Sequence, residues 1–573
     1  MKLIGAKDAY ALSSIAAGLA ASSPWLAGNP LALGVAAALP AAGTLHLASK
    51  FWSNKLHRLD KEARENFTLL SDKTFGEFMT RRAGLRFGYT RDNGRPVDIP
   101  DDNLVRHFAI IGQSGVGKTT LGEYLLWQQA LRGGGFIFID AKLDQDTRDK
   151  LGLMMRLLGR EDDFYYLNIN SPENSNTYNP VLRGDADEVA SRLMNLAPLA
   201  ENNAGADHYR QSANNALTVL VGALQGANMR FHFGDLSILL QSPKAIQYVQ
   251  SLNMPADVRQ NLDTFLDQYK KPAPKGGSVV DVEKLKNTLG GMSGRIGLFA
   301  QGKFGMVFNT YTPEIDLVDI MVNNKCLYVA LPTMSKDTAA LNLGKIIMSD
   351  IRTAVAYLQS LPEVQRPNPP FLVFADEMGS YVMPGVSRLM EQARSASVML
   401  APAFQSFANL SVVSPDFADM VIQNTWNKCF FKFGSAESPE TAAEIIGKTR
   451  TFAKSISRSE SEGDSASQAR ATPQGSASTG DSLGYSWREG EDYRVTPDQL
   501  KRMGKGECVM VSGPRVFHIN TPMLKFPQPY PEYRVLRRHV RVPDGVRTLN
   551  FSRIYKTFLT DAGTTLTTDE LDP

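Results

Sequence analysis

The chain changes its hydrophobic rhythm several times. Residues 9–28 and 31–48 carry no charge and are rich in Ala, Gly and Leu. Each is about as long as the apolar core of a bilayer is thick. Asn29-Pro30 between them is a turn signal. From 51 to 100 the pattern is polar, with spaced Leu and Phe over 56–78 as in a juxtamembrane helix, and a first strand at 82–89. Beyond residue 106, short apolar runs recur at 107–111, 135–140, 164–169, 325–332, 371–375 and 398–401, interleaved with helical spacing such as 120–131 and 339–358. Doubly buried strands alternating with helices predict a parallel α/β sheet. The strand pattern lapses between 185 and 295, where 206–224, 234–240, 243–252, 258–269 and 282–290 read as helices of an all-α insertion. Residues 454–487, with ten serines between Ser455 and Ser486, predict a mobile loop without a core. Strands return at 506–512 and 516–519.

The expected divisions are a hairpin over 1–50, a connector over 51–105, an α/β segment over 106–184, the all-α insertion over 185–295, a second α/β segment over 296–530 and a tail over 531–573. A length of 573 residues suits two to four domains, and 43% hydrophobic content is ordinary for a folded chain. A net charge of +3 selects no partner. Cys326, Cys429 and Cys508 each stand in a strand-like run, so buried thiols in a reducing compartment are expected, and the seven histidines show no zinc-ligand spacing with them. Lys2 and Lys7 precede the apolar pair and Lys50, Lys55 and Arg58 follow it, which places both ends of a transmembrane hairpin in the cytoplasm. A cleaved export signal near Ala20-Ala21-Ser22 and an interfacial hairpin interrupted by Pro24 and Pro40 are the alternatives. The basic stretch 534–556 is either a solvated tail or a contact for nucleic acid or anionic lipid.

Residues 112–119 read Gly-Gln-Ser-Gly-Val-Gly-Lys-Thr, between a strand and a helix. This is the context of a phosphate-binding loop, whose inward N–H groups and helix dipole suit a polyphosphate. Gly112, Ser114, Gly115, Gly117, Lys118, Thr119 and Thr120 are the candidate nucleotide ligands. Lys118 would meet the β and γ phosphates and the Thr119 hydroxyl Mg²⁺. The run at 371–375 ends in Asp376-Glu377. Asp376 can hold Mg²⁺ with Thr119, and Glu377 can orient and polarise an attacking water. Gln405 ends the next strand, where it can sense the γ phosphate. Arg394, on the intervening helix, is either a surface ion-pair residue or an arginine finger for a neighbouring subunit. Asp140 and Lys142 end the strand 135–140, as a loop ion pair or a nucleotide-proximal one.

With these parts in place, the chain resembles the TraG/TraD-type coupling proteins of conjugation and type IV secretion, relatives of FtsK and HerA translocases. The resemblance runs from the hairpin to about Pro522. It rests on residues 112–119, Ile139-Asp140-Ala141-Lys142, Tyr178-Asn179-Pro180, the all-α insertion, Asp376-Glu377, Gln405-Ser406, the Ser-rich segment and Thr496-Pro497-Asp498-Gln499-Leu500. It implies a RecA-like P-loop ATPase fold with an inserted all-α domain and an N-terminal transmembrane hairpin, assembled as a homo-hexamer around a channel. ATP and Mg²⁺ are the implied cofactors, with Gln405 on the nucleotide and Arg394 acting across the subunit boundary. The implied setting is the bacterial inner membrane, with the ATPase domain in the cytoplasm. The implied partners are a relaxase-bound single strand of DNA and the inner-membrane components of a type IV secretion system. A receptor ATPase delivering protein effectors uses the same nucleotide-site residues. Two departures stand out: a short outer loop at Asn29-Pro30, and Ala141 where the family usually has proline.

Overall fold

The computed structural model describes residues 67–68, 83–197, 204–272, 278–333, 337–382, 385–411, 417–435, 437–463, 478–526, 528–551 and 554. The hairpin expected over 1–50 lies outside them. Among the described residues no helix is long and apolar enough to cross a membrane. Within 56–78 only Phe67–Thr68 is described, and it is a two-residue strand paired with Leu524–Lys525 where a helix was expected. An aromatic followed by a β-branched residue suits extended backbone.

Eleven strands form one sheet. In chain order they are β1 (Gly84–Thr90), β2 (Pro96–Pro100), β3 (Phe108–Ile111), β4 (Phe136–Asp140), β5 (Phe164–Asn168), β6 (Cys326–Ala330), β7 (Phe371–Ala375), β8 (Val398–Phe404), β9 (Asn427–Phe430), β10 (Glu507–Ser512) and β11 (Arg515–Asn520). Their spatial order is β2-β1-β11-β10-β9-β3-β8-β7-β4-β6-β5. From β9 to β5 every pairing is parallel, and from β9 to β2 every pairing is antiparallel. The parallel strands are the apolar runs of the sequence, and β3 to β8 are buried along their whole length. Strands covered on both faces by helices need no polar alternation.

Helix α1 (Lys118–Leu131) packs on this sheet through Gly122, where a Cβ would lie 2.5 Å from the Phe374 ring of β7. The missing side chain brings the helix close to β7, and with it Thr119 close to Asp376. His107 wedges β3 against β8: it accepts from Leu400 N–H at Nδ1 (3.1 Å), which leaves Nε2–H to donate to the Met390 carbonyl (2.6 Å).

Between residues 185 and 308 the chain is mainly helical, with Ala186–Met194, Ala204–Gly226, Phe233–Leu239, Pro243–Ser251, Ala256–Asp267, Val282–Ala300 and Gly302–Phe308. The helix expected to stop at 290 runs to 300 through Gly290-Gly291, so residue 295 falls inside it. Leu285, Leu289, Met292, Ile296 and Phe299 recur every three or four residues and are all buried, and this apolar stripe outweighs the helix penalty of the glycines. Tyr178-Asn179-Pro180 ties this region to the sheet. Tyr178 OH donates to Asp350 (2.5 Å), Asp350 pairs with the fully buried Arg192 (2.9 Å), and the Asn179 amide donates to the carbonyls of Phe231 and Thr310 (3.0 and 2.7 Å).

The C-terminal segment is a packed strap where a solvated tail was one expectation. Tyr533 is buried against Phe164 (ring centroids 5.0 Å), Arg538 lies over the Tyr165 ring (3.8 Å), and Arg537 pairs with Glu314 (3.1 Å). Arg547–Thr548 then pairs with Met229–Arg230, and Phe551 N–H donates to Asp235 (2.9 Å). Buried Tyr533, Leu549 and Phe551 give the basic segment apolar area to stay down.

Residues 432–504 form a second compact unit. The expected Ser-rich loop over 454–487 is corrected here: Lys448–Gly463 and Ser478–Tyr493 pair as an antiparallel ribbon in unbroken register. Serine occupies alternate positions from Ser455 to Ser461, a period of two that fits a strand, and the ladder satisfies the backbone without a core. Thr496 opens the helix Pro497–Arg502 with a capping box, its side chain accepting from Gln499 N–H (3.3 Å) while Gln499 Oε1 accepts from Thr496 N–H (2.8 Å).

Candidate nucleotide site

The chain leaves β3 into the loop 112–117 and enters α1 at Lys118 with no side-chain cap on the helix. Its first N–H groups are therefore free to meet an anion. Gly117 sits at φ 114°, ψ 12°, a left-handed conformation that a side chain rarely adopts, and Gly506 N–H closes the loop from behind by donating to the Val116 carbonyl (2.8 Å). Phe431 lies against Gly117 as well. Ser114 and Gly115 are exposed and Thr120 is half-buried. Lys118 is buried and folded onto its own loop, donating to the carbonyls of Gly112 (2.5 Å) and Gln113 (3.1 Å). Burial lowers its pKa from the ordinary value, against the pull of Glu377 and Asp376.

The sheet order places β8 between β3 and β7, so loop and acids face each other across one strand. The Thr119 hydroxyl donates to Asp376 Oδ2 (2.8 Å), and Asp376 is fully buried. Its other oxygen accepts from Glu377 N–H (3.0 Å), and its carbonyl accepts from Tyr381 OH (2.9 Å). Glu377 itself is in the left-handed region at φ 51°, ψ 37°, which costs about 1 kcal/mol in a residue with a Cβ. Gln405, at the end of β8, donates to Glu377 Oε2 (3.0 Å). Glu377 Oε1 is buried without a hydrogen bond. Lys142 Nζ stands 3.4 Å from it and 3.8 Å from Asp376 Oδ2.

The residues fit Mg²⁺: a hydroxyl and a carboxylate, both hard oxygen donors, already converge beside the phosphate loop. Among the described residues no cluster of three or more His, Cys, Asp or Glu side chains forms a separate metal site, and all three cysteines are buried thiols.

Thr119, Asp376, Glu377 and Gln405 thus come together with Lys118. Arg394 does not join them. It precedes β8, at the amino edge of the sheet, while the acids follow β7 at the carboxyl edge, and its side chain is exposed. The sequence left Lys142 undecided between two roles, and only the register of β4 beside β7 places its ammonium on the acids. Gly506 and Phe431 carried no signal, because their contact with the loop follows from the order of β9 and β10.

A mixed α/β sheet with an acidic pair facing a glycine-rich loop at its carboxyl edge is the class that this fold and site define. A family model described as "TraM recognition site of TraD and TraG" matches residues 370–503. The type 4 coupling protein DotL of Legionella pneumophila is 26% identical over 405 residues, covering 63% of this chain and 51% of DotL. The chain therefore spans about half the length of that relative. An uncharacterised protein of Mycoplasma pneumoniae is 30% identical over 115 residues, 20% of this chain and 73% of that protein. The bacterial conjugative coupling protein TrwB shares the fold at a TM-score of 0.50 and 15% identity in its unbound monoclinic form, over 81% of this chain and 94% of that chain. Its complex with a non-hydrolysable ATP analogue matches at 0.50 and 13% identity, over 82% and 96%. The family model over residues 370–503 and the match to DotL make the chain similar to TraG/TraD-type coupling proteins, and TrwB shares its fold.

Proposed function

We propose that the chain is a membrane-anchored ATPase of a type IV secretion system that hydrolyses Mg²⁺-ATP to pass a relaxase-bound single strand of DNA to the secretion channel. The observation that carries hydrolysis is the placement of Glu377: Gln405 holds Oε2, while Oε1 accepts no hydrogen bond and has the Lys142 ammonium 3.4 Å away. An acceptor so placed can take a proton from a water aimed at the γ phosphate. Residues 112–120 cradle the triphosphate, with Lys118 turning from the loop carbonyls to the phosphates. Thr119 and Asp376 would hold Mg²⁺, which would supply charge neutralisation on the transferring phosphoryl group. Arg394 serves the site of the next subunit in a homo-hexamer, and residues 1–50 anchor the assembly in the bacterial inner membrane with this domain in the cytoplasm.

A protein partner has its own support. The matching family model is described as a recognition site for TraM, and it runs from residue 370 to 503, taking in all but the last residue of the unit 432–504. We assign that unit to contact with a protein of the transfer complex. A receptor that delivers protein effectors uses the same nucleotide site.

The test is phosphate release by the full chain in lipid, at low salt, with and without single-stranded DNA. DNA is expected to raise the wild-type rate. Lys118→Ala should lose nucleotide binding, and Glu377→Gln should bind nucleotide without turnover. A rate indifferent to DNA but raised by an effector protein makes the substrate a protein.

A further inference from the structure

We propose that Lys142 is a positioning residue that holds the Glu377 carboxylate for hydrolysis, as the partner of Gln405 on the opposite oxygen. This rests on the hydrolytic role of Glu377 argued above.

Lys142 arrives from the side away from the phosphate loop. Strand β4 is the neighbour of β7, and Asp376 N–H donates to the Ile139 carbonyl (2.9 Å), so the turn after β4 stands beside the acids. That turn is fixed by four hydrogen bonds. Asp140 accepts from Lys142 N–H (2.9 Å) and from Tyr328 OH (2.9 Å), the Asp140 carbonyl accepts from Leu331 N–H (2.8 Å), and the Ala141 carbonyl accepts from the Thr333 hydroxyl (2.5 Å). Tyr328 is fully buried and stacked between Phe138 and Tyr166, each at 5.3 Å. The Asp-x-Lys spacing therefore has a physical reason: the aspartate closes a turn whose third residue points back across the sheet edge.

The ammonium meets acids that need it. Asp376 and Glu377 are 0% and 12% exposed, whereas the Lys142 side chain is 44% exposed. Two adjacent buried carboxylates repel each other, and Lys118 spends its hydrogen bonds on Gly112 and Gln113. Lys142 is thus the cation in contact with both acids among the described residues. Gln405 fixes Oε2 and Lys142 stands at Oε1, so the carboxylate is bracketed on a backbone already in the left-handed region. Without Lys142, repulsion from Asp376 drives Glu377 off its mark, and a small misplacement of a catalytic group costs rate more than binding.

The experiment compares Lys142→Ala, Lys142→Arg, Glu377→Gln and the double variant Lys142→Ala/Glu377→Gln in the full chain. Turnover and the binding of a fluorescent ATP analogue are both measured. Lys142→Ala should lower kcat about tenfold with KM and analogue affinity within about twofold, and Lys142→Arg should recover most of the rate. Any residual rate left in Glu377→Gln should be lowered no further by adding Lys142→Ala, since both changes act through one carboxylate. Wild-type kcat in Lys142→Ala, a loss confined to affinity, or multiplied losses in the double variant would each overturn the role. Full turnover in Glu377→Gln sinks the hydrolytic role of Glu377 itself.

Discussion

Gln405 and Glu377 end two different strands, and the Gln405 amide donates to Glu377 Oε2 at 3.0 Å. β8 lies between the strand that leads into the phosphate loop and the strand that leads into the acids, so Gln405 can report on both. Removing the amide leaves the carboxylate oxygen without its donor, a loss of about 1.5–3 kcal/mol for a hydrogen bond to a charged group. Gln405→Ala should therefore slow steady-state ATP turnover about tenfold or more, with nucleotide affinity little changed. Unaltered kcat would show that the bond is incidental.

His107 makes the stability of the sheet depend on pH. Burial, with a smaller contribution from the Arg394 charge, lowers its pKa from 6.5 to about 4, against the Met390 carbonyl that favours the protonated ring. The unfolded chain takes up this proton below about 6.5 and the folded chain only near 4. Stability from this group is complete above pH 6.5 and falls as pH drops through the window from 6.5 to 4, by about 3 kcal/mol in all. Urea denaturation at pH 7 and pH 4.5 should show that loss in wild type. His107→Asn, which tolerates the left-handed backbone at φ 67°, should flatten it.

Tyr533 anchors the C-terminal strap over β5. It is buried against Phe164, its N–H donates to Asp149 (2.8 Å), and its carbonyl accepts from the Asn174 amide (3.0 Å). Tyr533→Ala leaves a cavity the size of an aromatic ring and should destabilise the protein by about 3 kcal/mol in chemical denaturation. Tyr533→Phe keeps the ring and the backbone bonds and should cost under about 1 kcal/mol. Equal effects would mean that the hydroxyl contact carries the segment.

The parallel strands were legible because burial on both faces writes them as unbroken apolar runs, and the phosphate loop because its glycines and its lysine are set by local geometry. Asp376-Glu377 became legible only in company with that loop. The antiparallel edge was harder: β1, β2 and β11 combine at a distance, and Gly506 meets Val116 only after that combination. The ribbon was misread because serine-rich composition suggests a loop, while its alternation, Ser455 to Ser461, carries a strand period. Basic composition likewise hid Tyr533 and Phe551, two aromatics that hold the strap in place. Composition averages over positions, and periodicity preserves them.

Arg394 stands at the amino edge of the sheet, exposed, next to the buried His107 whose charge state it influences. From there it cannot reach the acids of its own chain, which follow β7 at the opposite edge. If it completes the site of a neighbouring subunit, Arg394→Ala should lose turnover by about 10³-fold, the scale of an arginine finger, while still binding nucleotide. Mixing then separates a trans role from a structural one. Glu377→Gln chains have a dead site and an intact arginine; Arg394→Ala chains have the reverse. An assembly of both should recover activity that neither has alone, because some interfaces pair a working site with a working arginine. Mixtures as inactive as their parents, or an Arg394→Ala chain as active as wild type, would confine Arg394 to the fold of its own subunit.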